Sequence, residues 1–156
     1  MTHKSEKEKM IAGEIYDAYD EELCQLRDRC RKLVTQLNGL DIAEQEERQK
    51  LLSKLLGKAG KNSFMLNAQF DYGFNTYIGD EFSANFNFVV LDCGPVRIGD
   101  HVLIGPNVTI ATPVHPLVAQ ERNFQVDETG KRHLYEYAKP ITIGNNVWIA
   151  SNVVIT

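Results

Sequence analysis

The chain has 156 residues, of which 43% are hydrophobic and 24% charged, and a formal net charge of −4. This is the composition of an ordinary globular unit with a modest appendage, which excludes a disordered or low-complexity chain. The acidic balance, with most Lys and Arg interleaved among acids in the N-terminal third, offers no basic field for nucleic acid.

The opening residues mix both signs of charge and lack the apolar core of a secretory signal, and no apolar run is long enough to cross a membrane. A cytoplasmic protein with no membrane association is expected. Cys24, Cys30 and Cys93 are odd in number and match no zinc spacing, so reduced, structurally inert thiols are expected and no metal.

A short helix is predicted from about Ser5 to Ala12. In the next segment Tyr16, Tyr19, Leu23, Leu26, Cys30, Leu33 and Leu37 recur at three- and four-residue steps, which is one stripe of a helix with Asp20 as N-cap. Asn38-Gly39 supplies a stop. Asp41 with Glu44 resembles a capping box for another helix, which buries Leu51, Leu52, Leu55 and Leu56 and ends at Gly57. Residues 1–62 are therefore read as a helical head that caps a larger element.

From Leu66 the helical period gives way to a period of six. It runs through Leu66, Tyr72, Ile78, Ala84 and Val90, slips by two residues near Pro95, and resumes at Ile98, Ile104 and Ile110, then at Ile143, Ile149 and Ile155. The fifth place of each unit is also apolar, as in Phe82, Phe88, Val102, Val108, Val147 and Val153. Such hexapeptides are the signature of a parallel β-helix: an aliphatic residue at every sixth place points into a three-faced prism, and each coil buries it only by stacking on its neighbours. Residues 63–156 are predicted to form about three and a half such coils, interrupted by a polar loop at 116–142. A loop of that length thrown out from a regular scaffold is a place for function.

The combined pattern resembles the galactoside and maltose O-acetyltransferases, with their nodulation-factor relatives, in the hexapeptide acyltransferase superfamily. The resemblance rests on Met10-Ile11-Ala12-Gly13-Glu14-Ile15-Tyr16-Asp17, Asp71-Tyr72-Gly73, Ala84-Asn85-Phe86-Asn87, Gly105-Pro106-Asn107-Val108, His115-Pro116, and Lys139-Pro140 through Asn146-Val147-Trp148-Ile149. It spans nearly the whole chain. It implies a mainly β fold, a left-handed parallel β-helix with an N-terminal α-helical head, assembled as a homotrimer whose sites lie between subunits. It also implies acetyl-CoA as co-substrate and a sugar as acceptor. The loop between His115 and Lys139 is several residues longer than in close relatives, which bears on the acceptor. The chain stops at Thr156, two residues into a repeat unit, where members of this group continue; the coils that complete the coenzyme pocket are expected to be missing.

Acetyl transfer from a thioester to an alcohol needs a base for the hydroxyl and donors for the tetrahedral oxyanion. His115, where the strict repeat ends, matches the family's catalytic histidine, and imidazole suits the task because it is largely a free base near neutrality. By the same resemblance Glu136 orients that imidazole or the substrate, and Asn85 donates to the acceptor and reaction centre. Asp17, Asp71 and Asp92 correspond to acceptor-binding positions. Trp148, Ala150 and Ser151 correspond to the coenzyme's path, with Trp148 projecting outward from its face.

Rival readings are a γ-class carbonic anhydrase, another acyl acceptor such as serine or a xenobiotic hydroxyl, and a non-catalytic scaffold. The first fails on residue types, since His101, His115 and His133 lack the close histidine pair that its zinc site needs, and His101 occupies a turn place where Asp or Asn commonly sits.

Overall fold

The computed structural model describes residues 4–156. Helix α1 (Glu6–Ala12) opens on Ser5, whose Oγ accepts from the Glu8 N–H at 3.2 Å while Glu8 Oε2 accepts from the Ser5 N–H at 2.8 Å, so two orphan donors are satisfied reciprocally. Gly13 ends it in the left-handed region, at φ 74°. The chain then forms a two-residue strand, β1 (Tyr16–Asp17), before helix α2 (Glu21–Gly39), where the Asp20 carboxylate caps the N–H groups of Glu22 and Leu23 as expected. The predicted stripe needs correction at its start. Tyr16 and Tyr19 precede the helix because the backbone at 16 and 17 is taken up by strand pairing, and Val34, not Leu33, is buried beside Leu23, Cys30 and Leu37.

The expected box at Asp41 and Glu44 forms a turn instead. Glu44 Oε2 accepts from the Asp41 N–H and Asp41 Oδ1 from the Ala43 N–H, each at 2.8 Å, and helix α3 (Gln45–Leu55) starts only after Glu44, which provides no side-chain cap. Its three leucines, Leu51, Leu52 and Leu55, are buried as predicted, as is Leu56, which caps its C-terminal end. So is Arg48, which periodicity did not indicate: its guanidinium donates to the backbone carbonyls of Leu37, Leu40 and Met65, tying both helices to the first coil.

The body winds as a three-faced solenoid. Its first coil runs through β2 (Phe64–Met65), β3 (Ala68–Phe70) and β4 (Thr76–Ile78), and the second through β5 (Ser83–Ala84), β6 (Phe88–Leu91) and β7 (Val96–Ile98). The third runs through β8 (Leu103–Ile104) and β9 (Thr109–Ala111) and departs through β10 (Pro113–Val114). Residues 116–134 then carry a short helix, α4 (Ala119–Arg122), and a hairpin of β11 (Gln125–Val126) and β12 (Arg132–His133). Strand β13 (Tyr135–Ala138) returns the chain to β14 (Ile141–Ile143), β15 (Trp148–Ile149) and β16 (Val154–Ile155).

Successive coils pair in parallel, giving faces β4-β7-β14, β2-β5-β8-β15 and β3-β6-β9-β16. Lys58 already bridges to Tyr77, so the first face begins just inside the predicted head. Ile78, Ile98 and Ile143 stack inward on one face, Ala84, Ile104 and Ile149 on the next, and Val90 and Ile110 on the third, with Phe82 and Phe88 filling the second coil. In the first coil Met65 and Phe70 take the inward places; Leu66 is only half-buried, and Tyr72 packs toward the head.

Corners that repeat without a β-branched side chain permit this stacking. Asn87, Asn107 and Asn152 adopt positive φ of 58°, 59° and 61°, and their amides form a ladder with links of 3.1 and 3.2 Å. His101 sits at such a corner too, with φ 56°. At Gly99 a β-carbon would lie 2.2 Å from Asn145 Oδ1 and 2.7 Å from the Gly144 carbonyl carbon, so only glycine lets those coils approach. The slip near Pro95 has a structural origin. The corner after the third face is two residues wider than the others, in the first coil as well as the second, so equivalent residues such as Asp80 and Asp100 lie 20 apart. This wide corner carries the candidate site.

Candidate active site

β10 and β1 pair antiparallel with opposite edges of β13, forming a three-stranded sheet beside the wide corner. Alternation along β13 turns Glu136 and Ala138 inward, leaving Tyr135 and Tyr137 half-buried. His115 directly follows β10. Its ring is 48% exposed, and its Nδ1 lies 3.4 Å from Oε2 of Glu136, whose side chain is only 9% exposed. That contact is longer than an ordinary hydrogen bond. The other carboxylate oxygen, Oε1, accepts from the Tyr16 hydroxyl and lies 3.9 Å from Cys93 Sγ.

The remaining carboxylates at this corner differ in what they offer. Asp71 is partly exposed; burial raises its pKa despite the opposing pull of Arg27 and Arg31. Asp92 is 0% exposed, and its oxygens accept from the Tyr72 N–H at 2.8 Å and from Thr76 Oγ1 at 2.9 Å. With both oxygens committed inside the fold it faces no ligand in this arrangement; it fixes the Asp71-Tyr72-Gly73 turn. Burial pushes its pKa up, against those hydrogen bonds.

Asp17 is also nearly enclosed. Its Oδ1 accepts from the N–H groups of Tyr19 and Leu134, each at 3.0 Å, and its Oδ2 lies 2.7 Å from His133 Nδ1. Burial opposes its charge, but the bonds from Leu134, Tyr19 and His133 outweigh that and hold its carboxyl below the usual range. His133 reaches Asp127 Oδ2 with its other nitrogen, at 3.2 Å, and hydrogen bonds to Asp17 and Asp127 raise its pKa. Asp127 organises the hairpin tip through Thr129 and Lys131, while Phe124 meets Tyr19 edge-on at 5.0 Å. The long loop is thus strapped to the head beside Asp17.

The other residues that the sequence singles out, Asn85, Trp148, Ala150 and Ser151, lie elsewhere on the prism. Asn85, exposed, begins a corner between the second and third faces, its Oδ1 bonded to the Phe86 N–H at 2.7 Å. Ala150 and Ser151 occupy the equivalent corner two coils on, also exposed, and Trp148 stands outward over Leu103, 75% exposed. The structure therefore brings together His115, Glu136, Asp71, Asp92 and Asp17 at one edge, and Asn85, Trp148, Ala150 and Ser151 at another. One face of the same chain separates the two groups. The cysteines are unpaired, and burial pushes Cys30 up to about 12 and Cys93 higher still.

Sequence reasoning misses Tyr16, hidden by its chance fit to a helical step, and His133, whose partner Asp17 lies 116 residues away in the chain. Gly13 was the available signal for Tyr16, since a helix stop there frees the following residues for a strand. Among the described residues no group of three or more His, Cys, Asp or Glu is arranged to hold a metal ion.

Residues 9–60 match the model of the maltose acetyltransferase hexapeptide capping motif, and residues 95–115 and 137–156 match that of the hexapeptide repeat of succinyl-transferase. The galactoside O-acetyltransferase of Escherichia coli is 38% identical over 95% of this chain and 69% of its own length. The chain belongs to the maltose and galactoside O-acetyltransferase family. Among solved members, a maltose O-acetyltransferase from Clostridium difficile superposes with a TM-score of 0.87 at 40% identity, over 98% of this chain and 78% of that one. A galactoside acetyltransferase in complex with coenzyme A gives 0.80 at 34% identity, over 97% and 75%. The solenoid is thus the left-handed β-helix of the family, a hand that departs from the usual right-handed crossover. Family membership makes the chain an acetyl-CoA-dependent O-acetyltransferase.

Proposed function

We propose that this enzyme transfers the acetyl group of acetyl-CoA to a sugar hydroxyl, with His115 as general base, at sites formed between the subunits of a homotrimer in the cytoplasm. The observation that carries the reading is the half-exposed imidazole whose Nδ1 faces the buried carboxylate of Glu136. That pairing favours the Nδ1–H tautomer and leaves Nε2 free as the base.

The acceptor hydroxyl gives its proton to Nε2 as its oxygen attacks the thioester carbonyl. The tetrahedral intermediate expels the coenzyme thiolate, which recovers the proton from the imidazolium, and the acetyl group remains on the sugar oxygen as an ester. Asn85, which can donate without titrating, stabilises the developing oxyanion. Because one chain holds Asn85 and His115 on different prism edges, the reading joins the Asn85 edge of one copy to the His115 edge of the next. Exposed Trp148 and Leu103 and the Ala150-Ser151 backbone offer an apolar, hydrogen-bonding track for the pantetheine arm. Asp71 and Asp17 accept from sugar hydroxyls, the latter where His133 yields Oδ2. Asp92 acts through the turn that holds Asp71.

The test is thiol release from acetyl-CoA with galactosides, maltose, glucose and serine as acceptors, together with the native mass. His115→Ala should lower kcat with the best sugar by about 10²- to 10⁴-fold, the usual contribution of a general base. Wild-type turnover in that variant, or a monomer that turns over normally, overturns the reading.

A further inference from the structure

Strand β1 has only two residues, yet each side chain grips a different part of the site: Asp17 the long loop, Tyr16 the carboxylate behind the imidazole. Tyr16 is fully buried among Met10, Leu23, Tyr72, Cys93 and Ala138, and the strand register sets it opposite Glu136. The two oxygens of Glu136 are divided between them, Oε1 on the phenol and Oε2 toward His115.

We propose that Tyr16 is a positioning residue for acetyl transfer: by anchoring Oε1 it fixes the orientation and shares the charge of the carboxylate that aligns His115. The inference rests on the reading of His115 as base and deepens it. A glutamate carboxylate turns freely about its last bond, and a second partner, Cys93, stands 3.9 Å from Oε1. A donor on one oxygen removes that freedom and leaves the other aimed at the imidazole. Burial, with Cys93 and Glu136 close by, raises the phenol's pKa far above neutrality, so Tyr16 keeps its proton and donates throughout the working range. Sharing the negative charge also tempers the hold of Glu136 on the imidazolium, which must release its proton to the leaving thiolate.

Tyr16→Phe keeps the ring and its packing and deletes only the donor. With acetyl-CoA and the best sugar, kcat should fall roughly 10-fold, the scale of one hydrogen bond to a charged group, while the acceptor KM stays nearly unchanged. The acidic limb of the pH–rate profile should move to higher pH, since an unshared carboxylate holds the imidazolium more tightly. In a Glu136→Gln background the same substitution should add almost nothing, because both changes break one chain of contacts. Tyr72→Phe, which removes a buried phenol bonded to Arg27, should leave the limb in place. Wild-type kcat and profile in Tyr16→Phe, or a loss that multiplies with that of Glu136→Gln, overturns the inference while an inactive His115→Ala still supports the base. An active His115→Ala overturns both.

Discussion

Along the solenoid one bond recurs from coil to coil, as in the amides of Asn87, Asn107 and Asn152, whereas the head and the long loop are attached through side chains that occur once, Arg48, Tyr16 and Asp17. In the body no single link is indispensable, because each coil is held by three faces of backbone pairing and a shared column of aliphatic side chains. In the head each link replaces many. The difference teaches where the chain tolerates change, and it can be tested from both sides.

The largest expected effect is in the head. Arg48→Ala strips donors from three backbone carbonyls, at least one of them deeply buried, and should destabilise by about 3 kcal/mol, since each orphaned group costs on the order of 1–3 kcal/mol. Urea unfolding followed by circular dichroism measures it; a loss below that of a ladder asparagine would break the contrast. Asn107→Ala, in the middle of the ladder, should cost about 1–2 kcal/mol, chiefly from alanine at positive φ, with the neighbouring coils keeping their pairing.

The smallest effect is conditional on pH. His133 has a raised pKa, so the strap it forms is complete below the ordinary histidine value and is lost as pH rises through the raised one. Asp17 and Asp127 have lowered values, so their share is present above the ordinary carboxylate range and is lost as pH falls through the depressed ones. Between these limits the loop is held fast. Hydrogen exchange over residues 116–134 should quicken on the alkaline side, corrected for the intrinsic rate, while residues 143–155 do not change. Equal quickening in both segments would show that the strap is not a local latch.

This contrast also explains what could be read from the residues alone. The solenoid was legible because its signal repeats: a step of six, a small residue at each bend, and a slip of two that proved to be a wide corner. His115 and Glu136 were legible from motifs, and β10 and β13 do bring them together. Tyr16 was not, because a tyrosine seven residues before Leu23 fits a helical stripe as well as it fits a strand. Asp92 matched by position, but its burial depends on Tyr72 and Thr76 folding over it, which no local pattern announces. Arg48 looked like one more charge on an exposed helix face, because its acceptors are backbone carbonyls that carry no sequence signature.

The corner ladders pass across the long excursion unbroken: Asp100 meets Asn145, and Asn107 meets Asn152, each 45 residues further along the chain yet in the next coil of the stack. The insertion is therefore mechanically silent to the prism, like a side road that leaves and rejoins a highway at one junction. Residues 116–134 can be rewritten without retuning the scaffold, and a laboratory exchange of that stretch alone should leave the coil pairing of residues 143–155 intact.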